Sequence, residues 1–534
     1  MTTQTGMLFS YPARSGVACS ALLLLTLIFT ITGALSQPLH KVVNQLLILL
    51  PLLFTLVQVR RPLPRNALAC VPLLLIALHI TLSLFAWFEY GAAFSYGFAL
   101  SILNSDWRES CAMMTLYYRW GVVFLLLTTG LLLAVNLLPR STHPRFRKLP
   151  FLLLLTFVAA YSLQAIAHNL RKNATESVLQ RIVADMPFSN LNAFLQAARD
   201  KAIIAQVSQR VPHYNLTVAD TSVNTWVLVI GESARVGNMG IYGYPRDTTP
   251  QLQQESSRLL LFTQAIAGAP VTATAVPLAL SADRVERHNI DAYSDNIINI
   301  ANQAGLKTFW FSKQGMYGGY SNAITGIAMN AAERQWLDDD YDGSLLPAFK
   351  QALAQPGKKL IVLHLYGSHE PACTRYPQQQ AAFADADDKD SCYDNSIHYT
   401  DALLGQIFDQ LRDSPASLLY FSDHGLERHP HDRVVYRHGG VRPSQAAYQV
   451  PMFIWYSPAI SATNLTGKIN VPWSTVDNYS LMQRWLGVRV ADADSLSVKQ
   501  WIAEKTAAQM PVRVMDTTGK IYRFSDLAPE KWDD

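Results

Sequence analysis

The chain has 534 residues, of which 50% are hydrophobic and 16% charged, and its formal net charge is +4. The length exceeds that of one ordinary domain, and the hydrophobic fraction exceeds that of an average soluble protein. A weak net charge without a dense run of basic residues argues against a nucleic acid as partner.

The apolar residues are concentrated in five segments near the start of the chain. Each approaches or reaches the roughly 20 apolar residues that cross a bilayer. The segments are 17–36, 42–58, 67–88, 119–138 and 149–166. A cleaved signal peptide can look like the first segment, but a small-x-small cleavage site is missing there and four more spans follow. We therefore expect residues 1–168 to form a transmembrane domain with five helices.

The charges between these segments predict their orientation, because Lys and Arg in short loops stay on the cytoplasmic side of a membrane. The loops after the second and fourth segments contain the basic residues Arg60, Arg61, Arg65, Arg140, Arg145, Arg147 and Lys148. The loop over 89–118 is more acidic, with only Arg108 as a basic residue in its middle. With the N-terminus inside, five crossings export everything after residue 168.

Residues 169–222 are expected to form a linker with interfacial helices. Between 189 and 201, apolar residues recur at helical spacing. Such an amphipathic helix lies on a bilayer surface or packs on the exported domain, and both alternatives stay open.

From residue 223 onward, short apolar runs alternate with helical stretches. The strand candidates are 226–230, 307–312, 360–365, 417–422 and 451–457. The helix candidates are 294–305, 343–354 and 393–412. This alternation predicts an α/β domain over 223–534 with a mostly parallel central sheet.

Two of the five cysteines, Cys373 and Cys392, lie in a polar stretch of the exported part. An oxidising compartment would allow a disulfide between them, and two unrelated thiols are the alternative. Because no cysteines have C-x-x-C spacing, we expect no zinc site made of cysteines.

Acidic and imidazole side chains follow three of the predicted strands at the point where each ends. Glu232 follows the first, His369 the third, and Asp423 with His424 the fourth. Ligands of such sheets bind beyond the carboxyl ends of the strands, so we expect these side chains to share one edge. Glu232, Asp423 and His424 offer two carboxylates and one imidazole, which suit a divalent ion such as zinc. A single Asp-His-Gly can also be an ordinary capped turn.

The segment GAPVTATAVP, residues 268–277, is rich in hydroxyl groups and offers a nucleophile. A metal strongly lowers the pKa of a hydroxyl group that it binds. Spacing alone does not choose between Thr272 and Thr274, and Ser233 is a third candidate.

Six motifs accompany the five apolar segments: VLVIGESAR, GYPRDTTP, GAPVTATAVP, LHLYGSHEP, FSDHG and YRHGG. Together they resemble the bacterial inner-membrane phosphoethanolamine transferases, a family of the alkaline phosphatase superfamily that includes lipid A transferases. The resemblance covers nearly the whole chain. It implies an alkaline phosphatase-like or sulfatase-like catalytic domain in the periplasm, attached to a multi-pass anchor in the bacterial inner membrane.

The resemblance also implies roles for individual residues. Glu232, Asp423 and His424 match the zinc ligands of the family. Thr272 matches the nucleophile, which in the family also binds the zinc.

Three further histidines match positions that contact substrate in the family. His369 and His438 correspond to histidines that bind the phosphate of the donor or a second zinc. His364 corresponds to another family histidine, less directly placed. The resemblance therefore implies one zinc ion or two.

The activity implied by the resemblance is transfer of phosphoethanolamine from phosphatidylethanolamine, through a phosphothreonine-type intermediate. The acceptor is lipopolysaccharide or a periplasmic glycan. Gly268 and Leu278 stand where lipid A-modifying members often have cysteines, so the acceptor stays open. One alternative is a phosphoglycerol transferase of the same superfamily. Another is a non-catalytic membrane protein that binds an envelope glycan.

Overall fold

The structure, a computed structural model, describes residues 11–530 apart from 91–92, 106, 139, 141–143, 173–177, 220, 315–321, 384–388, 430–434, 462–463, 491–495 and 508–510. The chain forms two compact units, residues 1–103 with 113–198 and residues 104–112 with 199–534. The sequence-based division at residues 168 and 222 stays a prediction.

Among the residues that the structure describes, eight helices precede the first strand. They are α1 (Tyr11–Ser36), α2 (Leu39–Gln58), α3 (Pro62–Tyr90), α4 (Tyr96–Asn104), α5 (Trp107–Leu137), α6 (Pro144–Lys172), α7 (Val178–Ala184) and α8 (Leu191–Val207). Within the described residues, four helices are long and apolar enough to cross a membrane: Leu39–Gln58, Pro62–Tyr90, Tyr117–Leu137 and Arg147–Leu170. The first predicted span lies in α1, where the apolar helix Cys19–Ala34 is shorter than the other four.

Part of the predicted linker packs within the first unit. The Ser189 hydroxyl accepts a hydrogen bond from Gln45 of α2 over 3.1 Å. The Asn190 amide donates to the His79 carbonyl over 3.1 Å and to the Ser83 hydroxyl over 3.0 Å, both in α3. The start of the amphipathic region is therefore joined to membrane helices by side-chain hydrogen bonds.

The second unit combines strands with shorter helices. Its strands are β1 (Leu216–Val218), β2 (Thr225–Gly231), β3 (Leu259–Ile266), β4 (Lys307–Ser312), β5 (Glu333–Trp336), β6 (Lys359–His364), β7 (Ala416–Ser422), β8 (Glu427–Arg428), β9 (Tyr436–Arg437), β10 (Gln449–Tyr456), β11 (Gly467–Ile469), β12 (Trp473–Ser474), β13 (Val488–Val490), β14 (Arg513–Met515) and β15 (Ile521–Arg523). Its helices are α9 (Pro250–Gln254), α10 (Thr272–Leu280), α11 (Ile297–Gln303), α12 (Ala323–Ala328), α13 (Leu345–Leu353), α14 (Lys389–Leu411), α15 (Asn478–Trp485) and α16 (Val498–Ala507).

The central sheet has the strand order β11-β3-β10-β7-β2-β6-β4-β5, with β12 beside β3. The strands from β7 to β5 are parallel to one another. Strand β10 runs antiparallel to both of its neighbours, β3 and β7. All five strand candidates are therefore strands of one mostly parallel sheet, as predicted, and the sequence analysis missed its strands β3, β5, β11 and β12.

Apolar clusters cover both faces of this sheet. In β2, Leu228 and Ile230 belong to the cluster on one face, and Val227 and Val229 to the cluster on the other. Successive side chains of a strand point to opposite faces, so a strand covered on both sides needs an unbroken apolar run. The run VLVI in β2 meets this requirement. Polar residues begin only with Glu232, directly after the last residue of the strand.

Candidate active site

The parallel register brings the ends of β2 and β7 side by side. Gly231, the last residue of β2, pairs with Ser422, the last residue of β7. Glu232 and Asp423 follow these residues directly, and the Asp423 N–H donates to the Gly231 carbonyl over 3.1 Å. The two carboxylates therefore meet at one edge of the sheet, as the strand-end argument predicts.

Glu232, Asp423 and His424 form a compact and buried group. One ligand atom of each lies within 4.8 Å of the others. His424 Nε2 is 3.5 Å from Glu232 Oε1 and 3.4 Å from Asp423 Oδ2. Two oxygens and one imidazole nitrogen converge here at a separation that one metal ion bridges.

Two details of hydrogen bonding favour a cation between these groups. Asp423 Oδ2 is buried and has no hydrogen-bond partner among the described residues. His424 Nδ1 lies 2.9 Å from the Gly425 carbonyl, which can only accept, so Nδ1 has the proton and Nε2 has a free lone pair. A divalent ion would satisfy both atoms, and the residues fit such an ion.

The electrostatics lead to the same conclusion. Burial, together with the nearby charge of Asp423, raises the pKa of Glu232 to about 7. Two carboxylates this close and this buried are costly to ionise together. A divalent cation removes that cost, since its charge favours the ionised form of both.

Thr272 is a hydroxyl residue whose side chain contacts this group. It is the first residue of α10 and half-buried. Its Oγ1 donates to Glu232 Oε2 over 3.1 Å and lies 3.3 Å from His424 Nε2. Ser233 also donates to Glu232, to Oε1 over 2.5 Å, but its side chain is buried. The geometry therefore favours Thr272 as the hydroxyl that can meet a substrate.

Two of the predicted substrate-binding histidines lie beside His424. The His438 ring stacks on the His424 ring with centroids 4.4 Å apart, and the His369 ring lies 6.2 Å from that of His438. Burial and these two neighbouring imidazoles hold the pKa of His438 well below its usual value. Three imidazoles from three loops thus line one side of the site.

Gln314 is a site residue that the sequence analysis missed. Its amide donates to Glu232 Oε2 over 2.9 Å and to the Leu365 carbonyl over 3.0 Å. Gln314 lies two residues beyond β4, so the strand-end rule that pointed to Glu232 was also the signal for it. Glu232 Oε2 therefore accepts hydrogen bonds from both Gln314 and Thr272.

Comparison with known proteins agrees with this architecture. A family model described as Sulfatase matches residues 224–488, and one described as Transferase YhbX N-terminal domain matches residues 9–208. Putative transferase YhbX of Escherichia coli K12 is 43% identical over 98% of this chain and 97% of its own. Phosphoethanolamine transferase OpgE of the same strain is 29% identical over 78% of this chain and 80% of its own.

The chain belongs to the same family as putative transferase YhbX, and its less similar relatives include phosphoethanolamine transferases. Solved structures show the same fold. The integral membrane protein lipooligosaccharide phosphoethanolamine transferase A from Neisseria meningitidis has a TM-score of 0.59 at 20% identity, over 82% of this chain and 86% of that one. The C-terminal periplasmic domain of EcEptC from Escherichia coli, in complex with Zn, has a TM-score of 0.53 at 24% identity, over 59% of this chain and 97% of that one. The predicted fold class, apolar N-terminal helices followed by an alkaline phosphatase-like domain, is thereby confirmed.

In this family member, His364 occupies a different position from the other histidines. It is the last residue of β6 and is buried, with Nδ1 3.1 Å from the Ser312 hydroxyl. Burial lowers the pKa of His364 to about 4. A substrate-binding role for His364 stays a prediction, and its burial within the sheet favours a supporting one.

The structure joins Cys373 and Cys392 by a disulfide. Cys373 lies four residues after His369, and Cys392 lies in α14. The bridge therefore connects the loop that follows β6 to a long helix of this family member, and the free-thiol alternative does not describe the structure.

Proposed function

We propose that this protein transfers phosphoethanolamine from phosphatidylethanolamine to an acceptor of the bacterial envelope, either lipopolysaccharide or a periplasmic glycan. The main support is the position of Thr272, whose Oγ1 lies within 3.3 Å of both Glu232 and His424 at the start of α10. The name of the relative OpgE, a phosphoethanolamine transferase, supports the chemical class of the transferred group.

A zinc ion bound by Glu232, Asp423, His424 and Thr272 is part of the proposal. Bound there, it would lower the pKa of the Thr272 hydroxyl. The mixed set of oxygen and nitrogen ligands supports zinc, as does the unpartnered Asp423 Oδ2. A domain of the same fold has been solved in complex with Zn. The alternative is that two zinc ions bind, with the second near His369 and His438.

In the first step, Thr272 Oγ1 attacks the phosphorus of phosphatidylethanolamine. An Oγ1–P bond forms and the P–O bond to diacylglycerol breaks, so that phosphoethanolamine stays on the threonine as an ester. The leaving oxygen takes up one proton, in place of the one that Thr272 loses, and departs as the hydroxyl of diacylglycerol. The hydroxyl proton lies on the hydrogen bond to Glu232 Oε2, so this carboxylate is the first acceptor available to it. In the second step, an acceptor hydroxyl or phosphate attacks the same phosphorus and releases Thr272.

Two features would stabilise the charge on the phosphoryl oxygens. Thr272 stands at the N-terminus of α10, where backbone N–H groups and the helix dipole favour an anion. His369 and His438 can donate hydrogen bonds to the non-bridging oxygens, which is the kind of stabilisation that often contributes most to catalysis.

The proposed location is the bacterial inner membrane, with the second unit in the periplasm. The basic loops predict this orientation. The four candidate spans support a membrane anchor, which would keep the site near its lipid donor. The two solved structures of the same fold, an integral membrane protein and a periplasmic domain, agree with this location.

Intact mass of the full-length protein in detergent tests the proposal. After incubation with zinc and phosphatidylethanolamine, without acceptor, we expect a phosphoethanolamine adduct on the parent. Thr272→Ala should show none, and the matched control Thr274→Ala should keep it. An adduct formed from phosphatidylglycerol instead would support the phosphoglycerol transferase. No adduct from either donor, in a folded protein with bound zinc, would favour the glycan-binding protein.

A further inference from the structure

The segment 513–530 contacts several active-site loops, although it lies beyond the residues 224–488 that match the sulfatase family model. It consists of the hairpin β14–β15 and the residues that follow the hairpin.

The hairpin contacts two of these loops. The Met515 N–H donates to the carbonyl of Gly268, four residues before Thr272, over 2.9 Å. The Thr517 hydroxyl donates to the carbonyl of Gly440, two residues after His438, over 2.7 Å. The loop that precedes Thr272 and the loop that follows His438 are therefore both hydrogen-bonded to this hairpin.

The contacts of Glu530 reach the two loops that supply the metal ligands. Its Oε2 pairs with Arg235, three residues after Glu232. Its Oε1 accepts a hydrogen bond of 3.0 Å from the N–H of Arg428, four residues after His424. One carboxylate thus joins the loop of Glu232 to the loop of His424.

Arg235 connects the same two loops a second time. Its Nε donates to the Leu426 carbonyl over 3.1 Å, and its side chain is buried. A buried guanidinium that loses its carboxylate partner is strongly destabilised, so the Arg235 side chain would move if Glu530 lost its charge. The Leu426 loop would then lose two of its links to the Glu232 loop.

We propose that Glu530 is a positioning residue for the metal site, which acts by keeping the Glu232 loop and the Asp423-His424 loop at the separation that one ion requires. The inference rests on the zinc site of the proposed function. Partners that orient metal ligands typically contribute a factor of about 10 to 100 in metal affinity.

Competition against a chromophoric zinc chelator, with the full-length protein in detergent, tests this role. We expect Glu530→Gln to weaken zinc binding by about 10- to 100-fold. The matched control is Asp526→Asn, which makes the same change at an exposed position of the same segment and should bind zinc like the parent. A lower unfolding temperature of Glu530→Gln with unchanged zinc affinity would mean a merely structural role and would overturn the inference.

A second variant and a second readout keep the test decisive. If Glu530→Gln does not fold, Glu530→Asp retains the charge but is one methylene shorter, and parent-like zinc affinity in it would overturn the inference. If the parent itself binds no zinc, the proposed function fails at its metal site. Hydrogen exchange of residues 424–428 then still tests Glu530, since faster exchange in Glu530→Gln supports the joining of the loops and unchanged exchange refutes it.

Discussion

The two units of the chain differ in the side chains that they expose to their surroundings. In the first unit, Leu63 is 84% exposed while Gln45 and His79 are at most 2% exposed. In the second unit, apolar residues such as Trp310 are fully buried. Lipid around the first unit accounts for the difference, because its helices face an apolar solvent and keep polar groups inside.

The buried polar groups also serve different purposes in the two units. In the first unit they hydrogen bond to neighbouring segments, as Gln45 does with Ser189 and Ser83 with Asn190. In the second unit, Glu232 and Asp423 are buried where two strands end and form the candidate site. The named polar groups therefore pack segments together in the first unit and form the candidate site in the second, and four predictions test this comparison.

The largest effect is expected for Thr272→Ala. The substitution removes the hydroxyl proposed as the nucleophile, so the rate of transfer from labelled phosphatidylethanolamine should fall by at least about 10⁴-fold. Thr274→Ala, two residues along α10, should retain most of the rate. If both variants lost activity equally, the choice of Thr272 would be wrong.

A pH-dependent loss of stability is expected for the metal-free protein. The pKa of Glu232 is raised from 4.5 to about 7, so the folded state holds this proton more tightly than the unfolded state. Stability should then fall as the pH rises through this window, by up to about 3 kcal/mol at about 1.4 kcal/mol per pKa unit. Thermal unfolding at several pH values measures the fall. Zinc or the Glu232→Gln substitution should abolish it, and a fall that persists in Glu232→Gln would assign it to another group.

Loss of the disulfide should destabilise the second unit. Cys373→Ser opens a cross-link between residues 19 apart in sequence, for which chain entropy predicts a cost of about 2 to 3 kcal/mol. The unfolding transition of the second unit should move to lower temperature, while the helical signal of the first unit stays unchanged. Equal shifts of both signals would show that the two units do not unfold independently.

The smallest effect is expected in the first unit. Asn190→Ala removes two hydrogen bonds to α3, and polar contacts between membrane helices contribute only about 0.6 kcal/mol on average. Unfolding in detergent should show a loss near 1 kcal/mol. Leu63→Ala, at an exposed position, is the control with no expected change. If Asn190→Ala lost more unfolding free energy than Cys373→Ser, Asn190 would do more than pack helices.

The sequence alone determined five strands of the sheet and the meeting of Glu232 with Asp423, for a local reason. A buried parallel strand must be apolar along its length, so polar residues such as Glu232 and Asp423 are visible at the point where it ends. Parallel strands have their carboxyl ends at the same edge of the sheet. The closeness of Glu232 and Asp423 therefore follows from the alternation of strands and helices in the sequence. The same rule applies to Gln314, which lies two residues beyond the end of β4.

Only the tertiary structure decided the relations that join distant parts of the chain. Thr272 and Thr274 are equivalent in sequence, and the direction in which α10 begins makes Thr272 the one that reaches Glu232. The antiparallel direction of β10 depends on its neighbours in the sheet. The contact between Arg235 and Glu530 joins residues 295 positions apart. No local pattern encodes such a pair, because each partner is an ordinary charged residue until folding buries the two together.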